Sequence, residues 1–275
     1  MNNNRRSTTL ILFIVFLAGL SLLLYPTVSD YWNSLHQSKA IASYSEKLEN
    51  LDEGKHREML AAAVAYNKDL LSRTNSFLLS NEQKKKYSDL LDPTGTGIMG
   101  YIEIPSIGCS LPIYHGTDES VLQVAVGHLE WTSLPVGGEA THCVLSGHRG
   151  LPSAKLFTNL DKLSVGDTFM LCVLDEIFTY EVDQILIVSP NETESLMIES
   201  DKDLCTLITC TPYGVNSHRL LVRGHRIENA DIPTVVHVVA NAIQIEPLLV
   251  APIVAIPILL VLFIILMVKP KSRRS

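Results

Sequence analysis

The fold is decided by residues 204–223, which read LCTLITCTPYGVNSHRLLVR. The first part is a run of apolar and β-branched residues that ends at Cys210, and this composition is typical of a β-strand. Pro and Gly in segment 211–214 mark a turn, and a second apolar run begins directly after Arg219. The pattern predicts two strands joined by a loop. The Cys210 thiol and the Arg219 guanidinium would then lie side by side at one rim of a sheet.

A second predicted strand end, upstream, carries a histidine. Residues 141–150 read THCVLSGHRG, in which a strand-like run at 143–145 is broken by Ser and Gly. His148 is therefore expected on an exposed loop at the end of a strand. A thiol, an imidazole and a guanidinium at neighbouring strand ends can act as nucleophile, proton carrier and oxyanion stabiliser. This combination predicts an acyl-transfer site.

These motifs resemble those of the sortases, the cysteine transpeptidases of Gram-positive cell surfaces. The resemblance rests on TLITC at 206–210, on Arg219 nine residues later, and on SGHRG at 146–150. Three longer segments are similar to the class C branch, which assembles pili: GYIEIPSIGCSLPIYHG (100–116), VGHLEWTSLPVGG (126–138) and TCTPYGVNSHRLLVRG (209–224). The resemblance covers about half of the chain, from residue 97 to residue 226.

Strand-like patterns dominate the chain from residue 98 onward. The predicted strands are 98–104, 111–114, 141–145, 168–174, 177–188, 204–209 and 219–226. Seven or eight short strands punctuated by Gly and Pro predict a mainly β fold, either a closed β-barrel or a sandwich. The resemblance implies an eight-stranded sortase-type barrel with short helices. Two short helical pieces are expected, at 119–126 and 155–160.

The resemblance also implies a mechanism. Cys210 would attack the Thr carbonyl of a Leu-Pro-any-Thr-Gly-like sorting signal, while Arg219 would position the peptide backbone and stabilise the oxyanion. His148 would protonate the leaving Gly amine. A pilin lysine would then open the thioester and form an isopeptide bond, which polymerises pilus subunits. The implied partners are sorting signals of pilins or surface proteins and the acceptor lysine, and no cofactor is expected.

The remaining cysteines and histidines are assigned structural roles. The chain has five cysteines and nine histidines. Four cysteines lie in or beside apolar runs, as buried cysteines do: Cys109, Cys143, Cys172 and Cys205. There is no CxxC pair or Cys/His finger spacing, so no metal site is expected. Arg149 and Arg223 compete with Arg219, but the position of Arg219 before its apolar run matches the family arginine.

Two apolar stretches predict membrane attachment. Residues 10–25 are 16 uncharged residues, which suit an uncleaved membrane anchor or a cleaved signal peptide. Residues 248–268 are 21 uncharged residues, long enough to span a bilayer. Both chain ends are basic, so the positive-inside rule predicts cytoplasmic termini and an extracellular catalytic domain on a multi-pass membrane protein.

The charge distribution argues against a nucleic-acid partner. The chain has a formal net charge of −7, and its two terminal flanks carry six positive charges and no acidic residue. The segment between the flanks therefore has a net charge of −13. Because binding to phosphates requires a basic face, nucleic acid is not expected. An acidic surface would suit a basic or lysine-presenting partner.

The predicted organisation has six parts. They are an N-terminal tail and anchor (1–29), a helical stalk with a candidate lid region (30–97), the catalytic barrel (98–227), a connector (228–247), a transmembrane helix (248–268) and a basic cytoplasmic tail (269–275). The resemblance does not extend to the Asp-Pro-aromatic lid motif of many class C sortases. Residues 73–77 read RTNSF in its place.

Three other functions are compatible with parts of this pattern. A sortase that anchors proteins to peptidoglycan would use the same nucleophile with another amine acceptor. A hydrolytic cysteine protease of the papain type needs a helix that begins at the nucleophile, and the Thr-Pro after Cys210 does not predict one. A non-catalytic surface protein would have Cys210 buried. The apolar tail does not itself mark a sortase substrate, because residues 243–247 read IQIEP rather than a sorting signal.

Overall fold

The computed structural model describes residues 2–72 and 79–229. The helices are α1 (Asn2–Glu49), α2 (Glu53–Ser72), α3 (Asn81–Ser88) and α4 (Glu119–Leu122). The strands are β1 (Ile98–Ile104), β2 (Cys109–His115), β3 (Val126–His128), β4 (Thr141–Ser146), β5 (Thr168–Val173), β6 (Glu176–Val188), β7 (Asp203–Thr211) and β8 (His218–Arg226). Short 3-10 helices lie at Pro105–Ile107, Leu160–Lys162 and Glu194–Leu196.

The eight strands form a closed barrel in the order β1-β2-β3-β4-β7-β8-β6-β5, and pairing of β1 with β5 closes it. Two neighbouring pairs are parallel, β2 with β3 and β4 with β7, and the others are antiparallel. Closure leaves no strand edge unpaired, which removes a site for aggregation. The predicted eight-stranded barrel is thus confirmed.

Two local predictions differ from the structure. The expected helix at 119–126 ends at Leu122, because strand β3 begins at Val126. The expected helix at 155–160 is replaced by turns and a 3-10 helix. Leu156 has a positive φ of 40°, which is incompatible with a right-handed helix, and Thr158 N donates to Lys155 O in a tight turn.

Alternation along the strands separates the barrel interior from an outer face. Leu145, Leu207 and Val222 belong to the main core inside the barrel, where Phe169 stacks on Tyr180 at a centroid distance of 5.5 Å. Neighbouring residues on β4, β7 and β8 point the other way and form a smaller buried cluster with Leu196, which lies between β6 and β7: Val144, Leu196, Ile208 and Leu221. We call this second cluster the outer apolar patch.

The segment before the barrel packs against it. In α1 the buried Tyr44 donates its hydroxyl hydrogen to Met99 O at 2.9 Å and accepts from Leu174 N at 3.0 Å. Burial raises the pKa of Tyr44, so the phenol stays protonated and can donate. In α2 the buried Asn67 donates to Leu134 O at 3.1 Å and accepts from Leu134 N at 2.7 Å. Both contacts hold helices on the barrel through backbone groups.

A capping box explains where α3 begins. Ser80 Oγ accepts from Gln83 N, and Gln83 Oε1 accepts from Ser80 N. Near the end of this helix Tyr87 is buried and lies 2.8 Å from His128 Nδ1 in β3. The helix is thereby fixed on the barrel beside a short strand.

The amino-terminal part of α1 carries the first predicted apolar stretch. From Ile11 onward this helix is apolar enough to cross a membrane, with a mean hydropathy of 2.4, and it is the one such helix in the described ranges. Leu22 is 76% exposed, so its apolar side chain is not covered by protein. The second predicted span, 248–268, and the lid segment 73–77 lie outside the described residues.

We expect Asn67→Ala to lower the free energy of unfolding by about 3 kcal/mol, because it leaves the buried N–H and C=O of Leu134 without partners. Denaturant unfolding of the detergent-solubilised chain measures this change. Asn50→Ala is the matched control: Asn50 is exposed and bonds within its own segment, so a change below about 0.5 kcal/mol is expected. Equal effects of the two substitutions would contradict the anchoring role of Asn67.

Candidate active site

The structure pairs Cys210 with Arg219. Their Cα positions are partners in the antiparallel ladder of β7 and β8. The loop between them turns at Gly214 and Asn216, which both have positive φ, and Pro212 O accepts from Asn216 N at 2.9 Å. Ile208 of the outer apolar patch precedes Cys210 by two residues, so Cys210 and Arg219 lie on the outer face of the barrel.

His148 follows the end of β4, the parallel neighbour of β7. The last pair in that ladder is Ser146 with Ile208, so His148 and Cys210 each lie two residues beyond it. Two bonds extend the pairing past the strands. Gly147 N donates to Ile208 O at 3.0 Å, and the buried Thr209 hydroxyl donates to Gly147 O at 2.8 Å. These bonds place His148 next to Cys210 at the same rim.

Close packing of the loop that carries His148 explains why a glycine, Gly147, precedes it. A Cβ at Gly147 would lie 2.7 Å from the ring of Phe157, far inside normal contact distance. Phe157 N also donates to His148 O at 3.0 Å, which fixes the backbone of the histidine. The imidazole itself is 27% exposed and can therefore meet a ligand from solvent.

A carboxylate missed by the sequence analysis lies beside His148. Glu119, the first residue of α4, places Oε2 at 3.8 Å from His148 Nε2. Gln123 Nε2 donates to the other carboxylate oxygen of Glu119. Glu119 lies 29 residues before His148 in a segment without a strand-end motif, so no sequence signal linked the two residues.

The other arginines considered in the sequence are held in ion pairs. Arg149 donates to Asp161 at 2.5 Å, and its side chain is 11% exposed. Arg223 binds both carboxylate oxygens of Asp183 at 3.0 Å and Glu199 at 2.9 Å. Arg219 instead donates to two backbone carbonyls of its own loop, those of Asn216 at 3.2 Å and His218 at 3.1 Å. Its guanidinium is thus held on the loop that joins the ladder partners Cys210 and Arg219, and these bonds do not commit it to a carboxylate.

The other four thiols lie in different surroundings from Cys210. Cys109 and Cys172 are half-buried like Cys210, but desolvation raises the pKa of each to about 12, which keeps both as neutral thiols. Cys143 and Cys205 are Cα partners inside the barrel. Burial disfavours the Cys143 thiolate, but hydrogen bonds from Cys205 and His128 outweigh it and lower the pKa of Cys143. A reactive thiol also needs exposure, which Cys143 lacks and the half-buried Cys210 has.

The outer apolar patch leads to Cys210 along the outer face. Leu196, from the segment between β6 and β7, packs on Ile208 and Leu221 there. That segment is tied to the sheet by Arg223 through Glu199, and His142 Nδ1 lies 2.9 Å from Met197 O. The four residues of the outer apolar patch are therefore buried, and the half-buried Leu186 and Val188 of β6 pack against them. Among residues 2–72 and 79–229, no group of three or more His, Cys, Asp or Glu could hold a metal ion.

Comparisons with known proteins agree with this arrangement. Residues 102–227 match the family described as Sortase domain. Sortase D of Bacillus subtilis (strain 168) is 32% identical over 151 residues, which cover 54% of this chain and 73% of that protein.

Two solved structures extend the comparison to the segment before the barrel. Sortase C1 from Streptococcus agalactiae is 48% identical with a TM-score of 0.68, covering 70% of this chain and 100% of that one. Sortase C from Clostridium perfringens, solved with the C-terminal cell wall sorting motif, is 44% identical with a TM-score of 0.62, covering 70% and 100% of the two chains. The chain therefore belongs to the sortase family, and its solved structural neighbours include class C sortases.

Proposed function

We propose that this protein is a pilus-assembling cysteine transpeptidase in which Cys210, His148 and Arg219 carry the reaction. The observation that carries the proposal is the convergence of these residues at one rim. Cys210 and Arg219 are ladder partners, and His148 lies two residues after β4, the parallel strand on the other side of β7. Nucleophile, proton carrier and guanidinium are the three groups that acyl transfer through a thioester requires.

In the first half-reaction the Cys210 thiolate attacks the Thr carbonyl of a Leu-Pro-any-Thr-Gly-like signal. The negative charge on the carbonyl oxygen is stabilised by Arg219, which already donates to carbonyl oxygens in its loop. His148 gives its proton to the leaving Gly amine, and the C–N bond breaks. In the second half-reaction a lysine amine attacks the thioester, His148 takes a proton, and the thiolate leaves.

The outer apolar patch supports the substrate assignment. Its four members are buried, but the half-buried Val188, which packs on it and is the ladder partner of Arg219, offers an apolar contact for the Leu or Pro of a sorting signal. The solved Clostridium perfringens sortase C was crystallised with a cell wall sorting motif. The net charge of −13 between the terminal flanks supports a lysine-presenting acceptor such as a pilin.

We expect Cys210→Ala to abolish formation of the thioester while the protein stays folded, because Cys210 lies at a strand end outside the main core. Intact-mass analysis after incubation with a sorting-signal peptide measures the adduct. Cys172→Ala is the control, since Cys172 is a half-buried thiol on β5, and it should acylate like the wild type. A wild-type protein that forms no adduct at Cys210 would overturn the proposed function.

The acceptor amine distinguishes pilus assembly from the anchoring of proteins to peptidoglycan. The acylated wild-type enzyme is offered a pilin lysine peptide and a peptidoglycan stem-peptide amine in equal amounts. Preferential transfer to the lysine supports pilus assembly. Preferential transfer to the stem peptide would replace it with wall anchoring and leave the chemistry at Cys210 unchanged.

We expect Arg219→Ala to slow acylation by about a hundredfold, because loss of one oxyanion donor costs about 3 kcal/mol. Arg219→Lys should recover part of the rate, since Lys restores the charge but not the planar fork of donors. Single-turnover acylation with the same peptide measures both variants. Arg149→Ala is the control, because Arg149 is occupied by Asp161. If it proved as damaging as Arg219→Ala, the role of Arg219 would be wrong.

We further propose that two membrane spans hold the catalytic barrel outside the cell. The apolar helix from Ile11 supports the first span, and the apolar stretch 248–268 with its basic tail supports the second. Reporter fusions at Met1 and Ser275 are expected to report cytoplasmic locations, and a fusion after residue 229 an extracellular one. An extracellular signal from the Ser275 fusion would contradict the second span.

A further inference from the structure

The most informative group outside the three proposed catalytic residues is the carboxylate of Glu119. Its Oε2 atom lies 3.8 Å from Nε2 of His148, within the range of an ion pair when the imidazole is protonated. The pair connects α4, in the β2–β3 connection, with the loop after β4. Glu119 is therefore the acidic group placed to act on the protonation of His148.

We propose that Glu119 is a positioning residue that holds His148 in its protonated form at the rim. This inference rests on the proposed function, because it assigns Glu119 a part in the same proton transfers. The effect of Glu119 is electrostatic: a carboxylate near the imidazolium favours the charged form over the neutral one.

The position of the carboxylate is fixed from its own helix. Gln123 Nε2 donates to Glu119 Oε1, which leaves Oε2 directed at His148. Gln123 N also donates to Glu119 O, so both residues belong to the same helical turn. The strand that follows, β3, pairs with the end of β4 through Gly127 and Ser146. This pairing keeps α4 close to the loop that carries His148.

The other charged and titratable groups around His148 come from β7, from β8 and from its own loop. Cys210, near the end of β7, supplies the thiol that shares protons with His148 in the proposed reaction. Arg219, on β8, is a cation that opposes protonation of the imidazole. Arg149 follows His148 directly, but its charge is matched by Asp161. Neither the Cys210 thiol nor the two arginines attract a positive charge on His148. Among these groups, the carboxylate of Glu119 is therefore the one that favours the imidazolium.

The proton balance of the proposed reaction explains why the charge of His148 matters. During acylation the Cys210 Sγ–carbon bond forms, the C–N bond to Gly breaks, and the imidazolium proton goes to the leaving amine. During transfer the new N–C bond forms, the C–S bond breaks, and the neutral imidazole takes a proton from the incoming amine. His148 must regain its charge after each turnover, and Glu119 stabilises that charged state.

The test is Glu119→Gln, which keeps the size of the side chain and its hydrogen bonding but removes the charge. Acylation of the full chain by a sorting-signal peptide is measured by single turnover from pH 5 to pH 9. We expect a loss of about fivefold at low salt, the size typical of an exposed ion pair. On the alkaline side of the pH profile, we also expect the acylation rate of Glu119→Gln to begin falling at a lower pH than that of the wild type. The difference should shrink at 1 M salt, where screening weakens the pair.

Three companion variants separate charge from structure. Glu119→Asp should recover part of the rate, since it keeps the charge on a shorter side chain. Gln123→Ala should give a smaller loss than Glu119→Gln, because it frees the carboxylate without removing it. Glu130→Gln is the matched control, since Glu130 pairs with Lys84 at 3.5 Å, and it should behave like the wild type. All variants are compared by thermal unfolding.

A second measurement does not depend on sortase activity. The rate of Cys210 alkylation by iodoacetamide, followed by peptide mass mapping, is measured against pH for wild type and Glu119→Gln. We expect the two profiles to differ, because the thiol and the imidazole share protons. Identical acylation and alkylation profiles, or a loss that is the same at every pH and salt concentration, would overturn the proposal. A wild type that alkylates normally but never acylates would instead refute the proposed function.

Discussion

The parallel pairing of β4 with β7 is the constraint on which the site depends. It aligns Ser146, the last residue of β4, with Ile208 of β7, so the residue two positions beyond Ser146 lies beside the residue two positions beyond Ile208. The bond from Thr209 Oγ1 to Gly147 O extends this register past the last strand pair. Parallel strands must be joined by a crossover, here the chain from β4 through β5 and β6 to β7. Residues 62 positions apart in the sequence are thereby brought to one rim.

The alternation of side chains decides which thiol can react. Cys205 and Cys210 lie on the same strand five residues apart, an odd number, so they point to opposite faces. The inner face holds Cys205 against Cys143 in the core, where no substrate can reach either thiol. The outer face holds Cys210 beside Arg219 and the outer apolar patch. A thiol with a lowered pKa, such as Cys143, is therefore not by itself a mark of a catalytic cysteine.

An element of this fold could be predicted from the sequence where its own residues specify it, without contacts to distant parts of the chain. Strand β1 was predicted at its observed bounds, and β7 and β8 within two residues, because apolar runs and turn residues specify them directly. Strand β3 was missed, since three residues cannot show a period and its pairing with β2 and β4 is a tertiary event. The proximity of Cys210, His148 and Arg219 was predictable because each stands at a strand boundary. Glu119 was not, because its approach to His148 depends on where α4 packs.

The hydrogen bonds of Arg223 and Arg219 explain why one arginine is held in ion pairs and the other can bind a substrate. Releasing Arg223 would break its bonds to Asp183 and would leave Glu199 with Lys202 alone, and bonds between charged groups are about twice as strong as neutral ones. Releasing Arg219 from Asn216 O and His218 O frees two carbonyls in a loop that is exposed to water. Water can satisfy those carbonyls, so the exchange of a loop carbonyl for a substrate carbonyl has little net cost. The guanidinium of Arg219, the ladder partner of Cys210, is thus held on its own loop and remains available for the role that we propose, stabilising an oxyanion.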